Sequence, residues 1–246
     1  RCFYCGCNAY SMSNSASVDQ YIDSLISELH MIRPYLDPSR GVSQIHFGGG
    51  TPNTLSIPQV RKIMHTLRDQ FHFTEHPEIA MECHPAWLDI GYLNNLINLG
   101  FNRFSLGIQD FNTDVLQTIN RDPSALPVEK LIGHIRKKAP EAKVNFDLLY
   151  GLPKQSVASF SQTIEQALTL RPDRLVTFSY AHLPSVFKAQ KLLEEAVLPS
   201  SGEKMQLFLT AFEKLTQNGY QPIGFDHFAL EDDELIDPTP QGAIPA

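Results

Sequence analysis

The chain lacks what a membrane-spanning or nucleic-acid-binding protein needs. It has no apolar run near the roughly 20 residues that cross a bilayer, and no signal-peptide pattern at its start. No basic run is present and the formal net charge is −7, which argues against a nucleic-acid partner and a membrane surface. Charged residues make up only 19% against 42% hydrophobic, so the chain buries a core and does not belong to the disordered class. Cysteine is scarce, four in 246 residues, and three of the four crowd at Cys2, Cys5 and Cys7. That is not the framework of a disulfide-stapled secreted domain, and a cytoplasmic location is expected. No repeat or linker divides the sequence. Residues 1–236 are expected to form one domain, and 237–246, with Pro238 and Pro240 and no periodic pattern, an irregular tail. The chain begins inside the cysteine cluster without an initiating Met, so a cut at both ends is expected.

What is present is a regular alternation of short apolar runs and helical faces. Ile22, Leu25, Ile26 and Leu29 share a helical face, and Val42 to Phe47 reads as a strand. Val60, Ile63, Met64, Leu67 and Phe71 form the next helical face, Glu78 to Met81 a strand, and Leu93 to Ile97 a helix stopped by Gly100. Strands follow at 104–108, 144–146, 175–179 and 220–225, with helices near Val115, from Val128, around Ile164 and from Met205. Strands alternating with helices of this length predict βαβ units and a parallel sheet. Six of them favour an α/β barrel or partial barrel, with a first strand lying before Cys2.

In parallel β/α barrels the active site gathers at the C-terminal ends of the strands. The expected strands end in Gly48-Gly49-Gly50-Thr51-Pro52, Glu82, Gln109-Asp110, Asp147, Tyr180-Ala181-His182 and Asp226-His227. Any one of these polar residues commonly just caps the next helix or its loop. Their recurrence strand after strand points to a site. Glycines without Cβ atoms let backbone amides approach a ligand, although the run lacks the Gly-Lys-Ser/Thr ending of a phosphate-binding loop.

The Cys-x-x-Cys pair at Cys2 and Cys5 has three readings: a thioredoxin-like redox pair, half of a zinc site, or part of an iron–sulfur site. The first expects a much smaller fold. The second expects a further Cys/His pair, and only Cys83-His84 offers one. The third needs another cysteine upstream. Cys83 alone reads as a small packed residue. His65, His72, His76 and the run Glu231 to Glu234 read as solvated surface.

Taken with Cys5-Gly6-Cys7 and Val42 to Pro52, this pattern resembles the radical S-adenosylmethionine (SAM) superfamily, whose hallmark is Cys-x3-Cys-x2-Cys followed by a Gly-Gly-Gly-Thr-Pro-like loop. Cys2 and Cys5 match its second and third cysteines. Within the superfamily the chain is most similar to the oxygen-independent coproporphyrinogen III oxidases. The resemblance rests further on Gly100 to Ser105, Gln109 to Asn112, Asn120-Arg121, Asp147 to Gln155, Tyr180 to Pro184 and Asp226 to Ala229. Haem chaperones and haem-degrading methyltransferases of the same superfamily are the alternatives. The chaperones usually lack Cys7, the Tyr-Ala-His-Leu-Pro run and the Asp-His-Phe segment present here.

The resemblance implies a radical SAM partial (β/α)6-type barrel of parallel strands over 1–236, with the first strand missing. It implies a [4Fe–4S] cluster held by Cys2 and Cys5, and SAM, two molecules in the family, bound by Tyr4, Gly49, Gly50, Thr51, Glu82, Gln109, Arg121, Asp147 and Ala181. Cys7 corresponds to the extra cysteine of these enzymes. The implied substrate is coproporphyrinogen III, with an unidentified reductant and electron acceptor, in a monomer. No residue is assigned as catalytic.

Overall fold

The computed structural model describes residues 1–7, 14–193 and 198–236. The expected tail at 237–246 lies outside them. The chain divides into two compact units, one of Cys7–Ser105 and Ser124–Ala142, the other of Arg1–Gly6, Leu106–Pro123 and Lys143–Ala246. Among the described residues no helix is long and apolar enough to cross a membrane.

The first unit contains α1 (Ser15–Ile32), β1 (Val42–Phe47), α2 (Ile57–Gln70), β2 (Phe73–Cys83), α3 (Ile90–Asn98) and α5 (Val128–Lys138). Asn14 caps α1 by accepting from the Ser17 amide, and Gln59 reaches back to the Ser56 amide before α2. The periodic faces read from the sequence are the buried ones: Val60, Ile63 and Met64 on α2, Leu93 and Leu96 on α3, Leu131, Ile132 and Ile135 on α5. Strands β1 and β2 run parallel, with Ile45 opposite Ile79, His46 opposite Ala80 and Phe47 opposite Met81. Gly100 ends α3 at φ +95°, a conformation that favours glycine. Phe101 then drops into the core, 1% exposed, and Asn102 fixes β2 by accepting from the Ile79 amide at 2.7 Å.

Strand β3 (Arg103–Gln109) runs from the first unit into the second. The second unit continues with α4 (Thr113–Thr118), β4 (Lys143–Tyr150), α6 (Val157–Leu170), β5 (Arg174–Ser179), α7 (Ser201–Gln217), β6 (Tyr220–Gly224) and β7 (His227–Leu230). Strands β4 and β5 are parallel, from Asn145 opposite Arg174 to Tyr150 opposite Ser179. Phe146, Leu148, Phe160, Ile164, Leu207, Ala211 and Phe228 are fully buried among these elements.

Three expectations are corrected. The last strand is not a parallel barrel strand. Strand β7 pairs antiparallel with both β5 and β6, so β6 is the outer arm of a hairpin. The turn between them places Gly224 at φ +142° and Phe225 at φ +47°, without the Asn-Gly or Asp-Gly pair that announces a hairpin. Asp147 does not end its strand, because Leu148, Leu149 and Tyr150 carry the ladder with β5 onward. The acidic run at 231–234 is not wholly solvated. Asp233 is 4% exposed and paired with Arg174.

Candidate functional site

In the second unit the cysteine loop is held through its backbone. The Phe3 amide donates to the Ile119 carbonyl at 2.9 Å, and the Cys5 amide closes a turn onto the Cys2 carbonyl at 3.3 Å. Asn120 donates to the Arg1 carbonyl at 3.0 Å. Phe3 and Tyr4 pack on an apolar cluster of Val115, Leu116, Ile119, Leu149, Leu152, Tyr180 and Leu193. A Cβ at Gly6 would stand 2.8 Å from the Phe187 ring, so any larger residue there must displace that ring. With the backbone anchored this way, the Cys2 and Cys5 side chains form no disulfide and stay partly exposed.

Arg121 reaches this loop. One guanidinium nitrogen lies 3.5 Å from Cys2 Sγ, and the other donates to the Gly107 carbonyl. Tyr4 and Ala181 are joined through Gln190, whose amide donates to both carbonyls, at 3.0 and 3.1 Å, while its oxygen accepts from the Leu183 amide at 2.5 Å. Gln190 is 2% exposed and sits in a short 3-10 turn with no periodicity to flag it, so the sequence offered no signal for its role. Tyr180 donates to or accepts from His182 Nδ1 at 2.8 Å, and burial pushes its phenol up to about 12. Asp147 accepts from Asn145 at 2.7 Å. Gln109 ends β3 in the left-handed region at φ +68°, an uncommon conformation for a residue other than glycine.

Beside it, Asp110 is 1% exposed. It accepts from the Asn112 amide at 2.8 Å, Gln155 at 2.7 Å and Thr163 at 2.5 Å. Burial raises its carboxyl above the usual range, against the lowering effect of these bonds. A raised native value means that the protonated carboxyl is the better-tolerated form in the fold. The stability margin of the native protein over Asp110→Asn is therefore expected to be largest below the ordinary carboxylate range. It should shrink as pH rises through the raised value. Urea unfolding of both proteins across acidic pH tests this, and a margin that grows with pH would refute it.

In the first unit the glycine loop follows β1. Gly49 and Gly50 have φ of +75° and +61°, and a Cβ at either would meet nothing within 4 Å. Their glycines serve conformation. Gly48 serves space, because a Cβ there would lie 2.6 Å from His46 Nε2 and 2.9 Å from Glu82 Oε1. Glu82 is held at both oxygens, by His46 Nε2 at 3.0 Å and the Gly49 amide at 3.1 Å. The Thr51 carbonyl accepts from the Thr54 amide at 3.1 Å. Asn53 and the His84 backbone exchange two hydrogen bonds, at 2.9 and 3.1 Å, which fixes the loop to the end of β2. His84 stacks on Trp87 at 5.1 Å. Cys83 is buried as expected, its thiol pushed up by desolvation and by Glu82.

The structure thus brings Cys2, Cys5 and Arg121 together, Tyr4 with Ala181, and Glu82 with Gly49. Soft thiolates such as those of Cys2 and Cys5 are the ligand type that suits an iron–sulfur cluster.

Comparison with known proteins gives one consistent answer. The radical SAM superfamily model matches residues 1–167. The chain is 42% identical over 243 residues to the oxygen-independent coproporphyrinogen III oxidase of Salmonella typhimurium, covering 99% of the chain and 53% of that protein. The Escherichia coli K12 protein of that name is 41% identical, with the same coverage. A solved structure of coproporphyrinogen III oxidase from Escherichia coli, described as a radical SAM enzyme, superposes with TM-score 0.90 at 42% identity over 96% of the chain and 54% of that structure. The chain spans about half the length of these relatives. On the cysteine loop, the glycine loop and the family match, the chain belongs to the radical SAM superfamily.

Proposed function

We propose that this chain is the cofactor-binding part of an oxygen-independent coproporphyrinogen III oxidase of haem biosynthesis. The observation that carries the reading is 42% identity across 99% of the chain to a protein of that name. A [4Fe–4S] cluster and SAM, held by the residues named below, would supply the hydrogen-abstracting chemistry by which a propionate side chain loses its carboxyl as carbon dioxide and becomes a vinyl group. Two such events convert coproporphyrinogen III to protoporphyrinogen IX. A reductant and an electron acceptor are needed besides, in a monomeric, cytoplasmic enzyme.

The chain's own residues hold and orient. Cys2 and Cys5 are the cluster ligands, on a backbone pinned by Ile119 and Asn120. Glu82 takes hydrogen bonds from the ribose hydroxyls of SAM, and the Gly50–Thr51 backbone lies along it. Tyr4 and Ala181 contribute main-chain contacts whose spacing Gln190 maintains. Gln109 and Asp147 complete the set. Arg121, already fixed on Gly107, suits the carboxylate of a second SAM, because a guanidinium pairs a carboxylate bidentately.

The test uses the full-length protein, reconstituted anaerobically with iron, sulfide, SAM and a reductant, and given coproporphyrinogen III. Sequential loss of two carboxyl groups by mass spectrometry is the expected result. Unchanged substrate together with stable haem binding would move the assignment to a haem carrier on the same fold.

A further inference from the structure

Glu82 is the residue assigned above to the ribose of SAM, and the geometry around it singles out a neighbour with no role so far. His46 and Ala80 are register partners across the parallel β1–β2 pair. Side chains alternate with period two, so Glu82, two residues beyond Ala80, shares the face of His46. The diagonal between them is within reach of long side chains. The ring and carboxylate meet at 3.0 Å. An ionised carboxylate only accepts, so the proton in this bond sits on His46 Nε2. The Gly49 amide takes the other oxygen at 3.1 Å. Gly48 leaves the space in which the two side chains meet.

Each Glu82 oxygen therefore carries one protein donor and keeps acceptor capacity for another. A carboxylate clamped at both ends, with one acceptor position open on each oxygen, matches a vicinal diol that presents two O–H donors. The side chains of His46 and Glu82 are 57% and 42% exposed, so the pair faces accessible space and contributes little to the core.

We propose that His46 is a positioning residue that locks the Glu82 carboxylate for recognition of the ribose diol. The inference rests on the SAM-binding reading of Glu82. In its absence Glu82 retains the Gly49 contact but is free to rotate about it, and the energy of the diol contact is lost to ordering.

The experiment measures equilibrium binding of SAM and of its 2′-deoxy analogue to full-length, cluster-loaded protein. It compares the native sequence, Glu82→Gln, His46→Phe and His46→Gln, with melting temperature as a folding control. Native protein is expected to bind SAM about tenfold more tightly than the deoxy analogue, the worth of one hydrogen bond to a charged group. His46→Phe should weaken SAM about tenfold while leaving the analogue nearly unchanged, so that the preference for the 2′-hydroxyl disappears. His46→Gln, which keeps a donor, should restore part of that preference. A general packing defect would weaken both ligands equally and would overturn the proposal, as would His46→Phe retaining the full preference. Native protein that binds no SAM, or a Glu82→Gln variant that binds SAM and analogue as the native protein does, would instead defeat the underlying reading of Glu82.

Discussion

Full-length protein carrying Cys5→Ala is expected to hold iron and sulfide at background level after anaerobic reconstitution and, on the function proposed above, to decarboxylate no coproporphyrinogen III. The size of the effect follows from the ligand set. Soft thiolates are what an iron–sulfur cluster requires. Among the described residues no group of three His, Cys, Asp or Glu side chains is placed to hold a metal ion and take over. The loop itself should survive the change, because it is held by the Phe3–Ile119 and Cys5–Cys2 backbone bonds and by the packing of Phe3 and Tyr4. Before reconstitution, without a cluster in either protein, the variant and the native protein should therefore melt alike. Cys83→Ala supplies the control. Its thiol is buried and pushed toward the neutral form, so iron content should match the native protein. Native iron content in Cys5→Ala would remove the cysteine loop from the cofactor site.

The second large effect is on stability. Asp233→Ala is expected to cost about 3 kcal/mol, read as a lowered urea midpoint, because it leaves a desolvated guanidinium without its main partner. Arg174 donates to both Asp233 oxygens, through Nε at 2.9 Å and Nη2 at 2.7 Å. The Asp233 side chain is 1% exposed and that of Arg174 15%. The same carboxylate also accepts from the Leu235 amide at 3.0 Å, tying down the segment after β7. Glu234 touches Arg174 too, at 3.1 Å, but is 68% exposed. Water and salt screen such a contact, so Glu234→Ala should cost less than about 1 kcal/mol. Equal effects of the two substitutions would show that burial does not govern this ion pair.

Much of the fold was legible because its elements are locally consistent. The buried faces of α2, α3 and α5 recur with helical spacing, and β1 is bounded by polar and glycine residues. Signals that depend on distant partners were not legible. The β6–β7 hairpin has no diagnostic turn pair, and only pairing with β5 gives β7 its place. Asp233 sits in an acidic run that composition reads as solvated, and only Arg174, far away in sequence, makes its burial tolerable. The site divides in the same way. Cys2, Cys5, Gly49, Gly50 and Thr51 stand out because spacing and residue type carry their chemistry. Gln190 does not, since a buried glutamine that bridges Tyr4 and Ala181 looks like any other glutamine in the chain.

By itself, then, the sequence determined the alternation of strands and helices, the cysteine pair and the glycine loop. These depend on local periodicity, on the absence of Cβ atoms and on thiolate chemistry within a few residues. The tertiary structure alone decided which distant side chains meet: His46 on Glu82, Gln155 and Thr163 on Asp110, Arg121 beside Cys2. The reason is physical. A hydrogen bond needs its partners within about 3 Å, and strand register and loop closure, which no local pattern encodes, set that distance.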